Sequence, residues 1–165
     1  MADAASAVRP FRRSDAEVLP ALTQASILLI GARAYSTAQT EAWAARHLTA
    51  ERFIARAAKG DLILIASTAS DLPVAYALLE GDGHVDMLYC HPDHAGRGIG
   101  TRLLIEVEQA ARAAGLSRLY TEASELARPV FARAGYSLVA RRDFRIPCEG
   151  GDVAIHNYAM DKRLS

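Results

Sequence analysis

The sequence predicts an α/β (α+β) fold: a mixed, mostly antiparallel central sheet with helices on both faces. Three observations predict it. Short apolar runs of strand length stand at 62–65, 73–79 and 84–90, separated by Asp, Ser and Gly turns. One long segment, 98–114, carries apolar residues at three- and four-residue spacing. After it, strand-like and helix-like segments alternate, giving the order βααβββαβαββ.

Residues 8–12 read as a short strand entering a helix, because Ser14 is a capping residue and Glu17 follows three positions later, as in a capping box. A helix over 15–35 comes next, with Pro20 in its first turns. A second helical region covers 40–59 and breaks near Leu48 and Thr49, where Thr49 caps a new helix that Gly60 ends. The three apolar runs are then antiparallel strands, and Gly81-Asp82-Gly83 makes the tight turn between the second and third. Within 98–114, Leu103, Leu104, Val107, Ala110, Ala111 and Ala114 mark one helix face, and Gly115 ends it. A strand over 118–123, a short helix over 127–134 started near Pro129, and a strand over 136–146 follow. Glu149-Gly150-Gly151-Asp152 closes a hairpin onto the last strand, 153–160.

At 165 residues the chain has the usual size of one domain and is long enough to bury a core without metals or disulfides. Nineteen basic residues balance nineteen acidic ones, so the footprint that nucleic-acid binding needs is missing and no nucleic acid is expected as a ligand. The hydrophobic fraction is 51% but is broken by charges throughout, and no apolar run reaches the roughly 20 residues of a membrane span. Residues 1–7 lack the basic and apolar stretches of a secretory signal, and Cys90 and Cys148 are too far apart for a CxxC motif. Both features fit a cytoplasmic protein with no bound metal.

The segment richest in chemistry is His91-Pro92-Asp93-His94-Ala95-Gly96-Arg97-Gly98-Ile99-Gly100-Thr101, between a strand and the best-defined helix. Three glycines leave backbone N–H groups unobstructed at a helix N-terminus, where four donors lack partners and the dipole is positive. A phosphate or pyrophosphate is the natural ligand, and Arg97 adds a charge for the same anion. The segment is not a P-loop, since Gly100 is followed by Thr101 and Arg102. Nor is it a dinucleotide fingerprint, since the third glycine of GxGxxG would fall at Thr101 or Leu103. By itself a glycine-rich connection of this kind also occurs without any ligand.

HPDHAGRGIGTRLL resembles the acetyl-CoA signature of the GNAT superfamily, whose core is Arg/Gln-x-x-Gly-x-Gly/Ala. It matches at Gly98 and Gly100 and departs at Ala95, where the family usually carries Gln or Arg. Other pieces are similar in order and spacing: Val8-Arg9-Pro10-Phe11-Arg12 with Asp15-Ala16, then Thr121-Glu122-Ala123-Ser124, Phe131-Ala132-Arg133-Ala134-Gly135-Tyr136, and Asn157-Tyr158-Ala159-Met160.

The resemblance implies an N-acetyltransferase moving an acetyl group from acetyl-CoA to a primary amine of a small molecule or peptide. The alternative is a non-catalytic acyl-CoA-binding or sensor module. It implies that the strands before and after the signature helix splay apart, with Met87, Leu88, Tyr89 and Cys90 offering backbone to the pantetheine arm. Ala95, Gly96, Arg97, Gly98, Ile99, Gly100 and Thr101 would take the pyrophosphate, and Ser124 stands where many members place an Asn on the pantetheine. Phe131, beside the cofactor, occupies the position of the usual Tyr acid. For the base, His84 and Asp86 come first, since two-residue spacing puts both on one strand face, although His84 beside a glycine turn reads equally as a solvated strand end. Glu80 and Glu122 rank below them, and Tyr158 is a substitute acid if the last strand passes the thioester. Tyr35, Trp43 and His47 lie in the region that forms one acceptor wall in the family, although Trp43 reads equally as a packing residue. Cys90 is expected to pack beside the pantetheine. Many relatives pair as homodimers, an assembly equally open to this chain.

Overall fold

The computed structural model describes residues 5–46 and 48–165. The strands are β1 (Ala5–Pro10), β2 (Leu62–Thr68), β3 (Pro73–Leu79), β4 (Val85–Cys90), β5 (Arg118–Ala123), β6 (Ser137–Ile146) and β7 (Val153–Arg163). The α-helices are α1 (Leu19–Ala25), α2 (Thr37–Ala44), α3 (Ala50–Lys59), α4 (Ile99–Ala113) and α5 (Arg128–Arg133). The mixed, mostly antiparallel architecture matches the expectation, with one more helix between β1 and β2.

That extra helix comes from local chemistry. Ser36 opens α2 through a reciprocal capping box with Gln39. Thr49 opens α3 by accepting from Arg52 N, and Gly60 closes it in the left-handed conformation. The single helix expected over 15–35 is instead a 3₁₀ turn at Arg13–Glu17, then α1, a π-helical turn at Ser26–Ile30 and a second 3₁₀ turn at Gly31–Arg33. At its start the capping pair is not Ser14 and Glu17. Asp15 turns inward, accepts from Arg12 N at 2.7 Å and pairs with Arg9 at 2.9 Å, and this holds β1 against the turn.

β1–β4 form one antiparallel sheet in chain order, and β5-β7-β6 form a second. On one face Leu103, Leu104, Val107 and Ala111 of α4 pack with Phe131 of α5 against β2–β5. On the other, Leu19 and Leu22 of α1 and Phe53 of α3 cover Ile65, Tyr76 and Leu78. Each such fully buried side chain stabilises the fold by about 1.5–3 kcal/mol of transfer free energy.

The two sheets meet at one parallel bridge, His84 with Tyr120. Tyr120 N donates to Gly83 O at 3.0 Å, and the buried Thr121 hydroxyl donates to Val85 O at 2.8 Å. Beyond this point no β4–β5 backbone bond occurs among the described residues, and the strands splay. Gly83 permits the junction twice over: its φ is +100°, and a Cβ there would stand 2.2 Å from Arg118 O. Gly83→Ala is therefore expected to destabilise the protein by about 2 kcal/mol or more. Urea unfolding would read this, and a change below about 0.5 kcal/mol would show that the junction tolerates a side chain.

Candidate active site

The splay opens a cleft of about 320 Å³ between β4 and the loop after β5, floored by the start of α4. β4 contributes Leu88, Tyr89 and Cys90, and the opposite wall is Ser124, Leu126 and Ala127. Peptide groups alternate along a strand. Since His91 N bonds to Val74 O on β3, the N–H and C=O of Leu88 and Cys90 face the cleft. The π-helical turn supplies Ser26, Ile27 and Ile30 to the rim, an irregular turn of a kind frequent at functional sites.

At the cleft floor α4 begins at Gly98 with φ +76°, a conformation that favours glycine, and no side chain caps it. The first helical bond runs from Arg102 N to Gly98 O, so the N–H groups of Ile99, Gly100 and Thr101 precede it without a helical acceptor. No acidic side chain stands in that first turn. Gly100 permits close packing, since a Cβ there would lie 3.3 Å from Val130 Cγ1. Arg33 and Arg133 line the same cleft. An uncapped positive helix end, glycine-bordered and flanked by arginines, has the donor set for a phosphate or pyrophosphate.

A second cavity of about 340 Å³ adjoins the first and shares Trp43, Tyr89 and Ser124 with it. His84 and Asp86 from the β4 end and Glu122 from β5 line one part. Tyr35, Phe144, Ile146 and Ile155 supply apolar wall, and Arg46, Arg142, His156 and Asn157 are its other polar lining residues.

His84 is clamped between two carboxylates, with Nδ1 2.6 Å from Glu80 Oε1 and Nε2 2.9 Å from Glu122 Oε2. Both nitrogens face carboxylate oxygens, an arrangement that favours the imidazolium with both nitrogens protonated. Burial opposes that charge, but the bond to Glu80 and the fields of Glu122 and Asp86 outweigh it and raise the pKa above the ordinary value. The ring also stacks on Tyr120, with centroids 4.8 Å apart. Asp86 Oδ2 pairs with Arg56 at 2.9 Å, and the same guanidinium reaches Asp61. Glu80, His84 and Asp86 bring potential metal-ligating atoms within 4.8 Å of one another, and cation and hydrogen-bond partners hold all three.

The structure gathers most of the expected residues at the two cavities and separates the others. Leu88, Tyr89, Cys90, Ala95, Gly96, Gly98, Ile99, Gly100, Thr101 and Ser124 line the first, whereas His84, Asp86 and Glu122 line the second. Met87 lies outside: its side chain turns to the other sheet face, where Tyr76 Oη meets its sulfur at 3.7 Å. Arg97 is exposed and does not line the cleft. Phe131 is a core residue packed edge-on against Tyr136. Tyr158 is turned away from both cavities, donating to Glu125 Oε1 at 2.5 Å beneath Arg128. His47 lies outside the described residues.

Burial pushes the Cys90 thiol up to about 11, which leaves it protonated and a poor nucleophile. The Tyr89 hydroxyl is held up at about 12 by burial, against a hydrogen bond from Trp43. Sequence reasoning named only the backbone of Tyr89 and missed the side chains of Arg33, Arg46, Arg133 and Arg142. An isolated arginine carries no positional signal until the fold brings it to a cavity.

The family profile described as acetyltransferase (GNAT) domain matches residues 31–145. A GCN5-related N-acetyltransferase from Rhodopseudomonas palustris, whose name also carries the words aminotransferase class II, is 40% identical with a TM-score of 0.83. The alignment covers 99% of each chain. The PaiA N-acetyltransferase from Thermoplasma acidophilum, solved with coenzyme A, is 20% identical over 96% of this chain and 98% of that one, with a TM-score of 0.75. A phosphinothricin acetyltransferase from Sinorhizobium meliloti, solved with acetyl-CoA, is 18% identical over 97% and 89%, with a TM-score of 0.72. Comparison with curated proteins returns no significant match. With its splayed strands, its glycine-bordered helix start and a profile match across most of its length, the chain belongs to the GNAT acetyltransferase family.

Proposed function

We propose that this protein, as one domain, transfers the acetyl group of acetyl-CoA to a primary amine by direct attack. The observation that carries this reading is the uncapped N-terminus of α4 at the floor of the cleft between β4 and β5. Bound acetyl-CoA supplies an acyl group activated as a thioester. The N–H groups of Ile99, Gly100 and Thr101 hold its pyrophosphate, with Arg33 and Arg133 beside them. The Leu88 and Cys90 peptides bond the pantetheine, and an N–H of this strand polarises the carbonyl. Ser124 accepts from Ala127 N at 3.1 Å, which leaves its own hydroxyl proton to donate into the cleft.

The acceptor enters through the second cavity and meets the acetyl group near Trp43, Tyr89 and Ser124. An aliphatic amine of pKa about 10 must lose a proton before it attacks. Glu122 and Asp86 are the receiving groups, each with one carboxylate oxygen engaged by a cation and the other available. His84, already protonated, tunes Glu122 and does not take the proton itself. Homodimer formation through the outer edge of β6, where Leu138 and Val139 are exposed, and a cytoplasmic location belong to the same proposal. No described helix is long and apolar enough to cross a membrane.

Isothermal titration with acetyl-CoA, followed by an amine panel with colorimetric thiol release, tests the reading. Binding with amine-dependent release supports it, and absence of binding overturns the assignment of the α4 cradle. Gly98→Val, which forces a β-branched residue to φ +76°, is expected to weaken acetyl-CoA binding at least tenfold. Unchanged affinity in a folded variant would place the pyrophosphate elsewhere. The raised pKa of His84 also fixes a sign. Its contribution to stability is fully present below the unfolded value near 6.5 and is lost as pH rises through the folded value. The stability difference between wild type and His84→Gln should therefore be largest near pH 6 and narrow in alkaline buffer. A gap that widens with pH would show that the imidazolium is not the folded-state form.

A further inference from the structure

We infer that the acceptor is a small zwitterion, an amine that also carries a carboxylate, which Arg142 recognises while Glu122 and Asp86 receive the amine. The inference rests on the transfer reading above and names its substrate class.

The second cavity has a divided charge. At the β4–β5 end Glu122 and Asp86 each spend one oxygen on an internal cation, His84 or Arg56. Their other oxygens have no partner among the described residues, so this end accepts hydrogen bonds and suits an amine. At the other end Arg142 lines the wall. It forms no ion pair with a carboxylate among the described residues, unlike the neighbouring Arg141, which pairs with Asp143 at 3.0 Å. Among the described residues Arg142 donates to the Asn157 amide oxygen at 3.1 Å, and it lies over the Phe144 ring at 5.6 Å. That contact orients the guanidinium and leaves most of its donor fork for a ligand carboxylate.

Strand register sets the span. Arg142 faces Asn157 across β6–β7, and Ala123 faces Tyr158 across β5–β7, so Asn157 lies between Arg142 and the Ser124 end of β5. Two strand spacings separate them, about 10 Å between Cα positions. With an arginine reaching inward from one side, the remaining gap suits a small molecule. A polyamine would bring its second cation against Arg142, and a neutral amine would leave most of the Arg142 donor fork unused.

The test uses the full chain with acetyl-CoA and matched acceptors: amino acids whose carboxylate stands two to five bonds from the amine, their carboxamides, and diamines of equal length. Thiol release is read as kcat/KM, normalised to the unprotonated amine fraction. The expected result is a preference of about tenfold or more for the carboxylate over its carboxamide. That ratio should fall toward one in Arg142→Gln, through a rise in KM for the carboxylate. Asn157→Ala, which removes the contact that orients Arg142, gives an independent second variant at the same end, and the wild-type ratio stands without either. Equal turnover of acid and amide, or preference for the diamine, would overturn the zwitterion inference and leave acetyl transfer intact. Acetyl-CoA binding with no thiol release from any acceptor would overturn the transfer reading as well.

Discussion

Everything at the site depends on a single backbone junction: β4 and β5 touch at His84 and Tyr120, and then part. A continuous ladder would seal the space between Leu88 and Ser124, and with it the cleft. Three local features limit the pairing to its first residues. Gly83 lets Arg118 O approach to a distance that no Cβ allows, Thr121 spends its hydroxyl on Val85 O, and a register shift at Leu78/Leu79 against β4 turns the strand just after the contact. Apolar packing of α4 and α5 then fills the opened side. Val130 lies so close to Gly100 that a methyl there would stand 3.3 Å from it. The wedge is held by core packing on one side and by a few hydrogen bonds on the other.

Two cavities with opposite chemistry follow from that wedge. The first is walled largely by aliphatic side chains and ends at an uncapped helix dipole, so it suits a long, mostly neutral arm with an anionic end. The second lies over the polar faces of β4, β5 and β6, where the arginines and carboxylates cluster. Chain-wide neutrality conceals this separation, because ion pairs such as Arg56 with Asp61 and Asp86 cancel charge locally. Net charge argues against a nucleic-acid footprint, but it says nothing about a cavity whose lining holds both guanidiniums and carboxylates.

Much of the fold was legible because its signals are local. Gly60 and Thr49 bound α3 by cap chemistry, and the spacing of Leu103, Leu104 and Val107 marks the buried face of α4. The first helical region was misread as continuous, since nothing in the pattern over 15–35 announces a π-helical turn. Gly31, which follows that turn, lies against Thr40 and Trp43 of α2, contacts that no local pattern over 15–35 encodes. At the site, the glycine cradle was legible as a motif. The orientations of Phe131 and Tyr158 were not, because an aromatic on a helix or strand has the same pattern whether it faces a core or a ligand. Arg142 was illegible for a further reason: it reaches the cavity through the pairing of β6 with β7.

The charge state of the site also bears on the missing acid. Phe131 has no proton to give, and Tyr158 commits its hydroxyl to Glu125. Tyr89 borders both cavities, but its hydroxyl is held near 12. Proton transfer from it to a thiolate of pKa about 8.5 would run uphill. Tyr89 is thus suited to donate a hydrogen bond and unsuited to give up its proton. On the proposed reading no acid is needed at that point, since a thiolate of this basicity departs unaided and is protonated in solvent. The demanding proton is the one on the amine, and the structure concentrates its ionisable groups there. With His84 held between Glu80 and Glu122, the second oxygen of Glu122 stays open to an ammonium and to its proton. Specificity for the acceptor and activation of the acceptor then come from the same carboxylates. On the proposed reading the Arg142 guanidinium at the other end decides which amines present themselves in line.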